Sequence, residues 1–273
     1  MCGIAGIINL NKNSDPINPS NGSLFQSMLF SRGPDASGLW HSQDKNILLV
    51  VQRLATKDKR EIANQPCWST DKKIISIFNG EIYNHKELRD KLILCGYKFY
   101  SMNDTEVIAN AYHYWGEKFL QKLKGQFALA VFDKEKSNFI LARDEHGISP
   151  LYYSKIGEKL YFSSTPDSIF MQSNKKLLLN EQAVSDFIVA DCIPNGNTFY
   201  KNIKYIKPGN YFLINYKKKI FKKRKFFSYK KYNKIKKGTH DKKYYIEKIY
   251  EILANGVEKR FEGDKNVGVF LSS

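Results

Sequence analysis

Five consecutive apolar residues, Ile47-Leu48-Leu49-Val50-Val51, constrain this chain more than any other stretch. Rich in β-branched side chains and without polar alternation, the run reads as a strand buried on both faces. It delivers Gln52-Arg53-Leu54 at its end. A planar guanidinium at the exit of a buried strand suits a carboxylate, which it grips through two parallel N–H groups. A structural ion pair would use Arg53 equally well. A second apolar strand is expected from Gly3 to Leu10, through Ile4-Ala5-Gly6-Ile7-Ile8, with Cys2 at its leading end.

Cys2 follows the initiator methionine directly. Once Met1 is removed, one residue carries a thiol and a free α-amine, so nucleophile and base arrive together. An α-amine titrates near pH 7.7–8.0, close to where a general base works best, and a thiol reacts as its thiolate. The alternative is a small residue that merely starts a buried strand, since free cysteine is often buried.

At 273 residues, with 42% hydrophobic and 14% aromatic side chains, the chain fits a globular protein with a substantial core. No run is apolar for long enough to span a bilayer, and the N-terminus lacks the basic and apolar regions of a signal peptide. The expected compartment is the cytoplasm. Cys2, Cys67, Cys95 and Cys192 lack metal-ligand or disulfide-framework spacing, so reduced thiols and no metal site are expected. Lys+Arg number 44 against 27 Asp+Glu, a formal charge of +17. Much of the excess lies between Lys217 and Lys243, interleaved with Phe and Tyr. A solvated linker or interface face is preferred there to a nucleic-acid contact, because charge runs usually report solubility.

Leu24 to Phe30 reads as a helix capped by Ser23, and Ser31-Arg32-Gly33-Pro34-Asp35 as a turn displaying two charged side chains. Lys73 to Phe78 reads as a strand running into Asn79-Gly80-Glu81-Ile82-Tyr83-Asn84. Asn79 offers an amide N–H₂ and Gly80 a closely approachable backbone N–H, two donors that can form an oxyanion hole; Glu81 suits an ammonium group. Asn-Gly is equally a hairpin-turn signal. Lys86 to Cys95 is an amphipathic helix closed by Gly96, and Asn103-Asp104-Thr105-Glu106 opens another through Tyr114. There, Asp104 or Thr105 is either an N-cap or a ligand contact. Phe127 to Phe132 and Phe139 to Ala142 form paired strands, and Lys159 to Ser164 another. His146 is read as a loop residue. A helix runs from Asn180 to Ala190, and Tyr211 to Ile220 is the expected final strand before the basic tract. Lys242 to Arg260 regains helical periodicity, and Val267 to Ser273 reads as a buried strand.

Taken in order, Met1-Cys2-Gly3-Ile4-Ala5-Gly6, Arg32-Gly33-Pro34-Asp35, Arg53-Leu54, Gln65-Pro66, Asn79-Gly80-Glu81-Ile82-Tyr83-Asn84, Asp104-Thr105-Glu106 and Arg143-Asp144 with Gly147-Ile148 and Pro150-Leu151-Tyr152-Tyr153 resemble the glutamine-hydrolysing asparagine synthetases. The N-terminal half of those enzymes is a class II glutamine amidotransferase domain of the N-terminal-nucleophile type.

The resemblance implies an α+β fold, a four-layer αββα sandwich over residues 1–212. It further implies a basic linker over 213–240 and, over 241–273, the first helix and strand of an α/β ATP-pyrophosphatase domain. Carried over, Cys2 would be the nucleophile and its α-amine the proton shuttle. Asn79 and the Gly80 N–H would hold the oxyanion, Arg53 with Leu54 the α-carboxylate of L-glutamine, and Glu81 and Asp104 its α-ammonium. Leu271 and Ser272, entering the ATP loop, would be this chain's only nucleotide contacts. The glutaminase half would need no cofactor, whereas ATP, Mg²⁺ and aspartate would serve the synthetase half; a homodimer is a further expectation. Three places depart from the family pattern. Val51 stands where a histidine is usual, Thr56-Lys57 replaces an apolar pair, and Thr165-Pro166-Asp167 replaces Glu-x-Lys.

Overall fold

The structure, a computed structural model, describes residues 2–56, 58–172, 178–229, 238, 240–261 and 268. Its strands are β1 (Gly3–Asn9), β2 (Ala36–His41), β3 (Ile47–Arg53), β4 (Cys67–Trp68), β5 (Ile74–Ile82), β6 (Gly125–Asp133), β7 (Asn138–Arg143), β8 (Tyr152–Ile156), β9 (Lys159–Ser163), β10 (Lys204–Tyr205), β11 (Asn210–Asn215) and β12 (Ile220–Lys225). The helices are α1 (Ser20–Leu29), α2 (His85–Leu94), α3 (Thr105–Trp115), α4 (Pro166–Gln172), α5 (Glu181–Ala190) and α6 (Lys242–Glu258). The strands form two six-stranded sheets, ordered β10-β8-β9-β1-β3-β2 and β12-β11-β7-β6-β5-β4, with every pairing antiparallel.

The apolar strands explain the layering. In β1 and β3, Ile4, Ile8, Ile47, Leu49 and Val51 face the second sheet, where they meet Ile75, Ile77, Ala130 and Phe139. Their alternate neighbours Ala5, Ile7, Leu48 and Val50 pack on Phe25 and Leu29 of α1. The period of two thus runs apolar on both sides because both sides are covered. The second sheet repeats this arrangement, with Ile74, Phe78, Ile82, Leu129 and Val131 packed on Leu88 and Leu92 of α2 and Val107, Ile108 and Ala111 of α3. The result is helix, sheet, sheet, helix, as the resemblance implied. Each of the larger side chains, the Ile, Leu, Val and Phe, contributes roughly 1.5–3 kcal/mol when fully buried.

Several local expectations shift. Helix α1 starts at Ser20, before the expected cap at Ser23, and its N-cap residue Pro19 makes no side-chain cap bond. Tyr152–Ile156 is an additional strand, a hairpin partner of β9. The expected strand over Tyr211 to Ile220 is instead two, β11 and β12, joined by a turn at Tyr216 to Lys219 in which Lys219 has φ 53°. The boundary at 212 therefore falls inside β11, and the start of the expected linker is sheet. Lys222, Lys223, Arg224 and Lys225 are exposed along β12, the edge strand of this sheet among the described residues, where cations discourage strand addition.

Helix α6 lies within the helical span expected from periodicity, and its N-cap residue Asp241 accepts a hydrogen bond from the Tyr244 N–H at 2.9 Å. Leu271, Ser272 and most of the expected final strand lie outside the described residues. No helix among the described residues is long and apolar enough to cross a membrane.

Candidate active site

β1 is an interior strand, flanked by β3 and β9, and it projects Cys2 from its leading end. The end of β3 meets the sulfur, with the Leu54 N–H donating to Cys2 Sγ at 3.4 Å and the Leu54 carbonyl 3.9 Å away. The two charges of the Arg32-to-Asp35 turn brace this junction. Arg32 Nε donates to the Cys2 carbonyl at 3.0 Å, and Asp35 Oδ2 accepts from the Ala55 N–H at 2.7 Å. Burial pushes the Cys2 thiol up, against the lowering effects of the Leu54 hydrogen bond and the Arg53 charge. A thiol kept protonated in this way needs a base beside it to become a nucleophile.

Cys2, Arg53, Leu54, Gly80, Glu81 and Asp104 line one cleft, together with Thr56, Gln65, Phe78, Asn103 and Thr105. Arg53 is buried, and its guanidinium donates to Asn64 Oδ1 at 2.7 Å and to the Asp58 carbonyl at 2.6 Å. Asp58 is itself held by Arg60 through paired bonds of 2.7 Å, and these, with the Met102 N–H at 3.0 Å, hold its carboxyl well below the usual carboxylate range. Arg89 secures the neighbouring Ser101–Asn103 segment, donating to the carbonyls of Ser101 at 2.6 Å and Asn103 at 2.9 Å.

Asn79 and Gly80 form no hairpin. Both sit inside β5, opposite Ala128 and Phe127 of β6. Gly80 has φ 146°, and a Cβ there would lie 2.0 Å from the Gln126 carbonyl oxygen, so only glycine fits without displacing backbone. Its N–H direction follows from its neighbours. Phe127 spends its backbone groups on Asp144, donating to Oδ2 at 3.2 Å and accepting from the Asp144 N–H at 2.8 Å. Gly80 and Phe127 are therefore a non-hydrogen-bonded pair, and Gly80 directs its N–H away from β6. On that same edge, Gln65 Oε1 takes the Phe78 N–H at 2.6 Å and Asp104 Oδ2 takes the Ile82 N–H at 2.9 Å. Between these two filled positions the Gly80 N–H faces the cleft.

Asp104 occupies the N-cap position of α3 without a side-chain cap bond, so its carboxylate serves β5 and the cleft rather than the helix end. Asn79 is one step removed from the lining. Its amide is fully buried, and neither its oxygen nor its nitrogen has a partner among the described residues. Such an orphan is costly unless something else completes it.

Arg143 and Asp144 are scaffold. Asp144 accepts from the N–H groups of His146, Ile148 and Ser149, each at 3.0 Å, and shapes the loop that carries His146. Of the positions that depart from the pattern, Val51 packs between the sheets, Thr56 lines the cleft, Asp167 accepts from the Tyr200 hydroxyl, and Lys57 lies outside the described residues. Among the described residues Cys2, Cys67, Cys95 and Cys192 are free thiols; burial pushes Cys67 up to about 12. Sequence reasoning assigned no part to Gln65, Arg89 or Asn103. The only signal was Gln65-Pro66, whose role depends on a distant strand.

Asparagine synthetase [glutamine-hydrolyzing] 1 of Bacillus subtilis is 31% identical over all of this chain and 42% of its own length. A putative asparagine synthetase [glutamine-hydrolyzing] 2 of Methanocaldococcus jannaschii is 32% identical over all of this chain and 54% of its own length. The chain thus spans about half the length of the curated relatives it matches. The solved glutamine phosphoribosylpyrophosphate amidotransferase of B. subtilis shares the fold, with TM-score 0.58 and 19% identity over 83% of this chain and 49% of that one. The sequence profile of the glutamine amidotransferase domain matches residues 1–227, a span that ends just beyond β12 and so takes in both sheets and every residue of the cleft. With that match over most of its length, this chain belongs to the glutamine amidotransferase family.

Proposed function

We propose that this chain hydrolyses L-glutamine to glutamate and ammonia, with Cys2 as nucleophile once Met1 is removed. One observation carries the reading: the Cys2 thiol shares its cleft with one cation, Arg53, and two anions, Glu81 and Asp104. That charge pattern complements the α-carboxylate and α-ammonium of an amino acid and leaves its side-chain amide to the sulfur. In this reading Leu54 contributes to the same wall. The Cys2 α-amine takes the thiol proton as Sγ attacks the carboxamide carbon, and the Gly80 N–H and Asn79 amide hold the oxyanion. The C–N bond breaks, the proton passes to the departing ammonia, and water hydrolyses the γ-glutamyl thioester to glutamate and free thiol. With Met1 attached, the nitrogen is an amide and the base is lost.

In the complete enzyme, the ammonia supplies ATP-dependent conversion of aspartate to asparagine. ATP and Mg²⁺ act in that second step, and no cleft residue is assigned to them. Residues 241–273 begin the ATP-pyrophosphatase domain, α6 being its first helix, and the enzyme works in the cytoplasm. A carboxylated sugar or a peptide is the competing acceptor, which product analysis of the full-length enzyme distinguishes.

Incubating the chain that starts at Cys2 with glutamine tests the first step. Glutamate and ammonia are expected in equal amounts, with none from Cys2→Ala. Full turnover by Cys2→Ala would overturn the assignment.

A further inference from the structure

The nucleophile and the oxyanion donor stand on different sheets. Cys2 is held by β1 and β3 of the first, while Gly80 belongs to β5 of the second. Catalysis needs the sulfur and the Gly80 N–H fixed relative to each other, because an error of about 1 Å costs roughly 100-fold in rate. The apolar layer between the sheets sets their spacing but supplies no directional bond at the cleft.

Gln65 supplies one. Strand β4 pairs with β5 only at Cys67 with Ser76 and Trp68 with Ile75. Among the described residues no strand lies beside that edge of β5 beyond Ser76, and the Gln65 side chain takes the place. Its Oε1 accepts from the Phe78 N–H at 2.6 Å and its Nε2 donates to the Phe78 carbonyl at 2.9 Å, both bonds buried. One amide therefore meets both polar groups of a residue two positions before Gly80, as a neighbouring strand would. The backbone of Gln65 packs against the other sheet. A Cβ on Gly38 of β2 would fall 1.9 Å from the Gln65 carbonyl oxygen and 2.8 Å from Val51 Cγ1, so the Gln65 peptide rests directly on the β2 backbone. Strand β2 pairs with β3, with Gly38 opposite Val51, two residues before Arg53.

We propose that Gln65 is a positioning residue that sets the Gly80 N–H against the Cys2 thiol, clamping β5 to the sheet that carries the nucleophile. It touches neither the sulfur nor the oxyanion in this role. By engaging both Phe78 groups it also keeps water off the edge beside Gly80, leaving that N–H as the donor offered to the cleft.

The inference rests on the glutaminase reading above, and the experiment separates the two. Steady-state kinetics of the chain beginning at Cys2 are measured for the unsubstituted chain and Gln65→Met, which keeps the length and apolar bulk but loses both bonds. The expected result is a fall in kcat of about 10- to 100-fold, with KM for glutamine changed by less than about threefold. Affinity for an aldehyde analogue of glutamine, whose carbonyl carbon accepts the sulfur and whose oxygen takes up the proton as a tetrahedral thiohemiacetal, should fall by a similar factor. Gln65→Glu is the second variant and carries the test if Gln65→Met does not fold. Its protonated carboxyl can repeat both bonds, whereas its carboxylate cannot donate to the Phe78 carbonyl and stands among Glu81, Asp104 and Arg53. Relative to the unsubstituted chain, its kcat should recover as pH falls from about 8 to 5.

An active parent chain with unchanged kcat in Gln65→Met, or a Gln65→Glu pH profile parallel to the parent's, overturns the positioning role and leaves the glutaminase reading standing. A parent chain that never turns over glutamine brings down both.

Discussion

Arg32 Nε donates to the Cys2 carbonyl oxygen at 3.0 Å, tying the Cys2 backbone to the turn after α1. Once Met1 is removed, a single peptide bond would hold Cys2, and this hydrogen bond and that from the Leu54 N–H to Sγ would be its restraints. Arg32→Met should therefore lower kcat about 10-fold and cost roughly 1.5–3 kcal/mol of stability, the usual range for a hydrogen bond to a charged donor. Glutaminase kinetics with thermal unfolding in parallel check both; an unaffected kcat would remove Arg32 from the site's support.

Cys2 should titrate as a buried thiol. Burial disfavours its thiolate, so its pKa lies above the ordinary value and the reactive fraction grows only at high pH. Alkylation of Cys2 by iodoacetamide, followed by mass analysis of the N-terminal peptide, should keep accelerating above about pH 8.5, where an exposed thiol begins to level off. In urea the same cysteine should level off near that value. A plateau below pH 8 in the folded chain would contradict the effect of burial.

Asp104→Asn isolates charge from structure. The asparagine oxygen can still accept the Ile82 N–H that Asp104 Oδ2 now takes at 2.9 Å, so the fold should persist. What disappears is the negative charge proposed to meet the ammonium of glutamine, and KM for glutamine should rise about 10- to 100-fold, as for loss of a charge-assisted bond. Calorimetric titration of glutamine into the variant on a Cys2→Ala background should show the same loss of affinity.

Gly80→Ala should fail in two ways. The backbone at φ 146° is one L side chains rarely adopt, and the new methyl would press on the Gln126 carbonyl at 2.0 Å. A stability loss of about 2–5 kcal/mol is expected, with turnover falling at least 100-fold in whatever fraction remains folded. Denaturant titration and active-site alkylation read the two effects separately.

How much of this was visible in the chain depended on how local each cause is. Ile47 to Val51 declared a strand covered on both faces because its side chains record both neighbours. Asn79-Gly80 favoured a turn by local chemistry and lies in a strand, because pairing with β6 along all of β5 outweighs a dipeptide preference. Asp104 read equally as a helix cap or a ligand contact; it stands at the N-cap position, but the N–H of Ile82 in a distant strand takes its oxygen. The split at Tyr216 to Lys219 was hidden by lysines that suit a turn and an exposed edge strand equally well. The cleft charges at Arg53, Glu81 and Asp104 were legible as motifs. Apart from the Gln65-Pro66 motif, Gln65, Arg89 and Asn103 carry no local mark of what they hold, since each acts on a segment remote in sequence or on a loop it braces.

The exposed cations of β12 also govern how copies of this protein meet. A sheet with an open edge can grow by accepting the same edge from another molecule, and a hairpin such as β11–β12 would otherwise be the starting point. Here two approaching edges would bring lysine against lysine before any backbone bond could form. Salt that masks this repulsion should thus be the condition under which the chain first self-associates. Purification at low ionic strength should keep it dispersed.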